Sequence, residues 1–199
     1  MAKSQTEERI HNVLHQADEV ARQLFTSFQL NRDRSALIMK TMRGDYEKSP
    51  VILSQLLESS AAKFSLQAAK EGVTLTTDIQ PTSSELQGNK DDLIRVFDNL
   101  IANAFRYIKP PDGRIDVSGR DTGSAYEIVV RDNGEGIDPQ DLDLIWKWGW
   151  QASQGKKGDS GLGLTISKQI VQIHGGTITA SSEGKSKGTA FTILFPRED

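Results

Sequence analysis

A chain of 199 residues with 36% hydrophobic and 26% charged residues has room for one good core or two small domains of ordinary soluble composition. The net charge of −3 gives no general basic field to recruit nucleic acid, and the pair Lys156–Lys157 reads as a solvated loop or a phosphate contact. With no cysteine, disulfides, thiolate metal sites and Cys nucleophiles are excluded.

No apolar run approaches a membrane span, and the polar start MAKSQTEERIHN does not read as a signal peptide. The expectation is a cytoplasmic chain, with membrane attachment only through segments outside this sequence.

Residues 6 to about 45 read as helix. Ile10, Val13, Leu14, Ala17, Val20, Ala21, Leu24, Phe25 and Phe28 follow helical spacing, and Ile38, Met39 and Met42 resume it after the polar turn LNRDRS. A long one-sided apolar stripe needs a partner, either a second copy in a helical bundle or the domain that follows. Gly44 and Pro50 bracket a break, which divides the chain into a helical dimerisation-type segment over 1–48 and a second domain over 49–199.

Val51 to Ala69 reads as a second helix ended by Gly72. VTLTTDI (73–79) alternates and is β-branched, so it reads as a strand, while PTSSELQGNK is turn chemistry. Asp91 or Asp92 is expected to cap a helix from Leu93 to about Tyr107, stopped by KPPDG, with Leu100, Ile101 and Ala104 on its core face. RIDVSGR and AYEIVVRD are two strands joined by the hairpin signal DTGS. A long irregular stretch follows, of the kind that usually forms a functional lid. Helix returns over Leu164–His174, closed by Gly175–Gly176, and TITASSEGKSKGTAFTILF ends the chain as a second hairpin.

Three segments carry chemistry. In DNLIANAFRY (98–107), Asn99 and Asn103 lie four residues apart on one helix face, with Arg106 three residues further on and Tyr107 beside it. Mg²⁺ takes hard oxygen donors and commonly only one or two from protein, so one carboxamide suffices, and Arg106 can oppose phosphate charge. Alternatively both amides simply hydrogen-bond loops. In DNGEGI (132–137), Asp132 ends a strand ahead of Gly134 and Gly136. Its carboxylate is either a turn cap or the acceptor for an exocyclic amine such as adenine's. A calcium loop on Asp132, Asp138 and Asp141 fails, because Ile137 stands where the required sixth-position glycine belongs.

In GDSGLGLTISK (158–168), Gly158, Gly161 and Gly163 lead into a helix, where backbone N–H groups can hold phosphate. This is neither a Walker loop nor a dinucleotide fingerprint, since the Gly-Lys-Ser/Thr and the preceding strand are missing. Trp146, Trp148 and Trp150 are expected to bury a small core within the lid.

In order and spacing these segments resemble the ATP-binding catalytic domain of sensor histidine kinases, within the larger family of gyrase B, Hsp90 and MutL. DNLIANAFRY is similar to that family's N box, DNGEGI to its G1 box, GDSGLGLTISK to its G2 box, LDLIWKWGWQ to its F box and GKSKGTAF to its last glycine box. The resemblance implies an α+β fold, a two-layer sandwich in which helices cover one face of a mixed sheet. It implies ATP and Mg²⁺ as cofactors. Asn103 would bind the metal with Asn99 assisting, Arg106 would touch phosphate and Tyr107 the nucleoside. Asp132 would read the adenine amine. Gly134, Gly136, Ile137 and Thr189 would shape the base pocket, and Gly161, Leu162, Gly163 and Leu164 the phosphate side of the lid. The ATP-hydrolysing branches resemble one another in having Glu where this chain has Asn99. An amide cannot act as a general base, so the kinase branch is favoured, with Asn99, Asn103 and Arg106 serving phosphoryl transfer. A homodimer through the N-terminal helix and a response-regulator partner are implied as well, whereas nucleic acid is not.

The family's acceptor histidine is usually followed by Glu or Asp, with a proline soon after. Here His11 precedes Asn12, His15 precedes Gln16, and His174 ends the last helix in a structural setting. The acceptor is therefore expected to be missing from this chain, with His15, then His11, as atypical alternatives. A nucleotide-responsive dimerisation or scaffold module without transfer activity is the competing reading.

Overall fold

The computed structural model describes residues 47–82, 85–108, 112–150 and 161–197. The expected N-terminal helix, His11, His15 and Gly158 lie outside these residues.

Strand β1 (Ser49–Ile52) leads directly into helix α1 (Leu53–Lys63) and the short α2 (Ser65–Glu71). Strands β2 (Thr74–Ile79) and β3 (Glu85–Gly88) precede the long helix α3 (Lys90–Tyr107). A hairpin of β4 (Arg114–Asp121) and β5 (Ala125–Asp132) follows, then a single 3₁₀ turn at Pro139–Asp141. Helix α4 (Gly163–Ile173) and the hairpin β6 (Thr177–Ser181) and β7 (Thr189–Pro196) complete the chain.

The main sheet has the order β2-β4-β5-β7-β6, with β2 parallel to β4 and every other pairing antiparallel. Its residues alternate in and out as a half-buried sheet requires. Ile115 and Val117 of β4, Ile128 and Val130 of β5, and Ile193 and Phe195 of β7 are buried, whereas their sequence neighbours are more exposed. On the helical side, α3 contributes Leu93, Val96, Phe97, Leu100, Ile101 and Ala104 to the core and packs against α1 and α4. The α+β sandwich with a mixed sheet is thus as expected, as are the core positions on α3 and the turn at DTGS.

Three local expectations are corrected. Val51 and Ile52 are strand rather than helix: β1 pairs antiparallel with β3, Val51 facing Leu86, so part of the supposed turn PTSSELQGNK is a strand too. The helix through residue 69 is broken at Phe64, whose N–H bonds back to Ala61 while its ring stacks on Phe105 of α3 at 5.7 Å. Helix α3 starts at Lys90 under an Asn89 cap, the Asn89 Oδ1 accepting from the Asp92 N–H at 3.1 Å, and neither Asp91 nor Asp92 is the cap. The two acids instead occupy the first turn, where the helix dipole favours them.

The His174 ring joins the end of α4 to the start of α3. The Nε2 of His174 accepts from the Asn89 N–H at 2.9 Å, and its Nδ1 lies 2.7 Å from the Ile170 carbonyl oxygen. That pairing requires the neutral ring with its proton on Nδ1. Beside it the Lys48 ammonium donates to the carbonyl of Ile173 at the end of α4.

Candidate functional site

The site lies where β5 ends against α3. Asp132 is the last residue of β5, on the strand's buried face, and is 7% exposed. Its Oδ1 accepts from the Gly134 N–H at 2.8 Å. Burial pushes its pKa up to about 6, opposed by hydrogen bonds from the backbones of Gly134 and Thr189. The carboxyl is therefore ionised at neutral pH but easily protonated.

The turn after Asp132 docks on the last turn of α3. The Glu135 N–H donates to the Tyr107 carbonyl at 2.9 Å, and a Cβ on Gly134 would overlap that same carbonyl oxygen. Glycine at 134 is thus a matter of close backbone approach rather than of positive φ. Across the sheet Asp132 sits opposite Thr189 of β7, and the loop before Thr189 lies on the turn: Gly188 N–H donates to Gly134 C=O at 3.2 Å and Ser186 N–H to Glu135 C=O at 2.6 Å.

Asn99 lies further back on α3. Its Nδ2 donates to the Ser167 hydroxyl at 3.0 Å, and its Oδ1 fills the space that a Cβ on Gly163 would need. The carboxamide therefore ties α3 to the start of α4, at the foot of the glycine loop. Asn103, four residues on and so about 6 Å further along the axis, is half-buried. No hydrogen bond among the described residues uses its side chain.

Of the remaining expected residues, Arg106 is exposed, while Tyr107, Ile137, Gly161, Gly163 and Leu164 are half-buried, as is Gly136, which has φ +67. Leu162 and Thr189 are buried. Near the start of α4 the Thr165 hydroxyl donates to the Trp146 carbonyl at 3.0 Å. Trp146 does not serve a private lid core as expected: its ring meets Phe191 of β7 edge-on, and Lys168 of α4 lies over it at 5.3 Å. Trp148 is 36% exposed.

Of the expected residues, Asp132, Gly134 and Thr189 meet at the end of β5, where the turn rests on Tyr107 of α3, whereas Asn99 lies about two turns back on α3, against Gly163 and Ser167. Sequence reasoning missed Ser167 and Ser182, whose hydroxyls bond the predicted residues Asn99 and Ile137. Neither stands in a pattern that separates it from an ordinary helix or turn serine.

The chain is 34% identical over 144 residues to the alginate biosynthesis sensor protein KinB of Pseudomonas aeruginosa, covering 72% of this chain and 24% of that protein. It is 29% identical over 196 residues to the heme sensor protein HssS of Staphylococcus saprophyticus, covering 98% of this chain and 40% of HssS. It therefore spans less than half the length of these relatives. Among solved structures, a mycobacterial sensor histidine kinase, MprB, superposes with a TM-score of 0.65 at 26% identity, over 76% of this chain and 98% of that one. Residues 88–199, which hold α3, the turn after Asp132 and the glycine loop, match a single family, and the chain belongs to it: the histidine kinase-, DNA gyrase B-, and HSP90-like ATPases.

Proposed function

We propose that this chain is the catalytic portion of a two-component sensor histidine kinase, which binds Mg-ATP between α3 and the lid and donates the γ-phosphoryl group to a histidine. The observation that carries the reading is the buried Asp132 carboxylate, held beside a glycine turn that rests on the end of α3. A buried acceptor-only group suits an exocyclic amine. The likeness to MprB supports the kinase branch.

Asn103 would hold the magnesium ion. Among the described residues no group of three or more His, Cys, Asp or Glu could hold a metal. A hard cation that keeps phosphate oxygens and water, and takes one carboxamide oxygen from protein, fits that donor set. Bound there, it would neutralise phosphate charge. Arg106 would add positive charge on the solvent side, Tyr107 would border the nucleoside, and Gly161–Leu164 would follow the phosphates. Asn99, held by Ser167, offers no general base for water, which favours transfer over hydrolysis.

His174 is unsuited as acceptor because both ring nitrogens are engaged inside the fold. The acceptor is then a histidine outside this sequence, with His15, then His11, as atypical alternatives. Dimerisation through residues 1–48 and transfer onward to a receiver domain complete the proposal.

Calorimetry with Mg-ATP tests the pocket: Asn103→Ala should lose binding while keeping the fold. Incubation with γ-labelled ATP tests the chemistry. Acid-labile label on His11 or His15, or on an added histidine-bearing helix, is expected. Binding without label on any of them favours the scaffold reading.

A further inference from the structure

We propose that Ser182 is a positioning residue for base recognition, setting how sharply the site separates a 6-amino purine from a 6-keto one. The inference rests on the nucleotide reading above and names a residue which that reading does not use.

Ser182 follows β6 directly and begins the loop that returns to Thr189. Its hydroxyl has one proton and two lone pairs, and the structure uses all three. It accepts from the Ile137 N–H at 3.0 Å and from the Gly184 N–H at 3.3 Å. It lies 2.7 Å from the Gly188 carbonyl oxygen and 3.3 Å from that of Gly184, so its proton belongs with Gly188. One side chain thus links the exit of the turn after Asp132 to the residue before Thr189.

Those are the two backbone stretches that flank the Asp132 carboxyl. Gly134 lies on one of them, and Thr189 on the other bonds the carboxyl through its backbone. The direct backbone bonds between the stretches, Gly188 to Gly134 and Ser186 to Glu135, fix their spacing at two points. Neither reaches Ile137, at the far end of the turn. Without the hydroxyl, the Ile137 N–H and the Gly188 carbonyl both lose a partner, and the turn is free to slide against the loop. A hydrogen bond to a base edge depends on acceptor direction, so such a slide costs discrimination before it costs attraction for the phosphates.

The test measures affinities of the whole chain for Mg-ATP, Mg-ITP (a keto group replacing the 6-amino group) and magnesium tripolyphosphate. The parent should prefer ATP to ITP by about tenfold or more. Ser182→Ala should weaken ATP about tenfold, bring the ATP-to-ITP ratio close to one and leave tripolyphosphate unchanged. Ser182→Thr, which keeps the hydroxyl, should restore the ratio. Should the alanine variant not fold, Ser182→Cys, of similar shape with weaker hydrogen bonds, is measured instead and should show the same narrowing. An unchanged ratio in the variant overturns the proposal, as does an equal loss for all three ligands, which would mark a merely structural role. A parent that binds no ATP overturns the nucleotide reading and this proposal together. A parent that binds ATP alongside an indifferent Ser182 variant overturns this proposal alone.

Discussion

The Glu135 N–H and the Tyr107 carbonyl oxygen meet at 2.9 Å, so the turn that follows β5 is seated on the last residue of α3. The strand carrying the acceptor carboxylate and the helix carrying the two carboxamides are thereby held as one unit. Gly134 permits the contact, because any Cβ there would strike the Tyr107 carbonyl. Gly134→Ala is expected to destabilise the domain by about 1–3 kcal/mol, as overpacking against rigid backbone does. It should also abolish nucleotide binding. Urea denaturation paired with calorimetry checks both, and an alanine variant with parental affinity would show that the turn is not part of the pocket.

Asp132 makes a pH-dependent prediction. Its pKa stands at about 6 in the fold against 3.8 for an ordinary Asp, so between those values the folded chain binds a proton that the unfolded chain does not. Its contribution to stability is present below about pH 4 and lost as pH rises through 6, for a total of about 3 kcal/mol. Nucleotide binding should run the opposite way, weakening below pH 6 as the acceptor is protonated. Asp132→Asn should flatten the Asp132 share of the stability profile, match or exceed the parent's stability at pH 7.5, and bind ATP at least about tenfold more weakly, since an amide leaves one of its hydrogen-bond partners mismatched. Urea midpoints and ATP affinities over pH 4–8 check the two signs.

His174 should show the opposite pH sign in stability. Burial is the main cause that lowers its pKa, with Lys48 adding to the effect, while the Ile170 carbonyl and Asp92 oppose it. Its contribution is therefore present above the ordinary value of about 6.5 and lost as pH falls through its depressed value. His174→Ala should remove that acid-side loss and cost about 1–3 kcal/mol by leaving the part-buried Asn89 N–H at the start of α3 without its partner. Hydrogen exchange at the Asn89 amide is the direct reading. No acceleration in the variant would mean that the ring does not secure the helix start.

The elements legible in the sequence were those with local signatures. Helix α3 announced itself by 3.6-residue spacing, and the β4–β5 hairpin by a turn between two alternating runs. The β1–β3 pair was not legible, because Val51 meets Leu86 across 35 residues and each strand is only four residues long. The break at Phe64 was hidden by an apolar stripe that runs through it, and its reason, the stacking on Phe105, is tertiary. The start of α3 was obscured by three good caps in near succession, Asn89, Asp91 and Asp92, which sequence cannot rank. In the site, the carboxamides, the carboxylate, Arg106 and the glycines were named because their type limits their chemistry, and Tyr107, Ile137, Leu162, Leu164 and Thr189 only through the family resemblance. Ser167 and Ser182 act through partners 68 and 45 residues away, Asn99 and Ile137, and a serine carries no sign of where its hydroxyl points.

Tyr126 supplies the control that separates stability from binding. It is the second residue of β5, six residues before Asp132 and about 20 Å away along an extended strand. Its hydroxyl donates to the Gln80 carbonyl at 2.9 Å, just beyond β2, and burial raises its pKa above 10. Tyr126→Phe should cost about 1–1.5 kcal/mol by stranding that carbonyl. The raised pKa makes the phenol's contribution present below pH 10 and lost above it, so the variant should also remove part of the parent's alkaline destabilisation. Its affinity for Mg-ATP should equal the parent's, because nothing at the Asp132 end of the strand changes. A Tyr126→Phe protein that unfolds at lower urea but binds ATP normally would show that loss of stability alone does not impair the site, so that losses at Gly134 or Asp132 are losses of the pocket itself. Weakened binding in Tyr126→Phe would instead mean that the two ends of β5 are coupled and that the site cannot be assigned from local geometry alone.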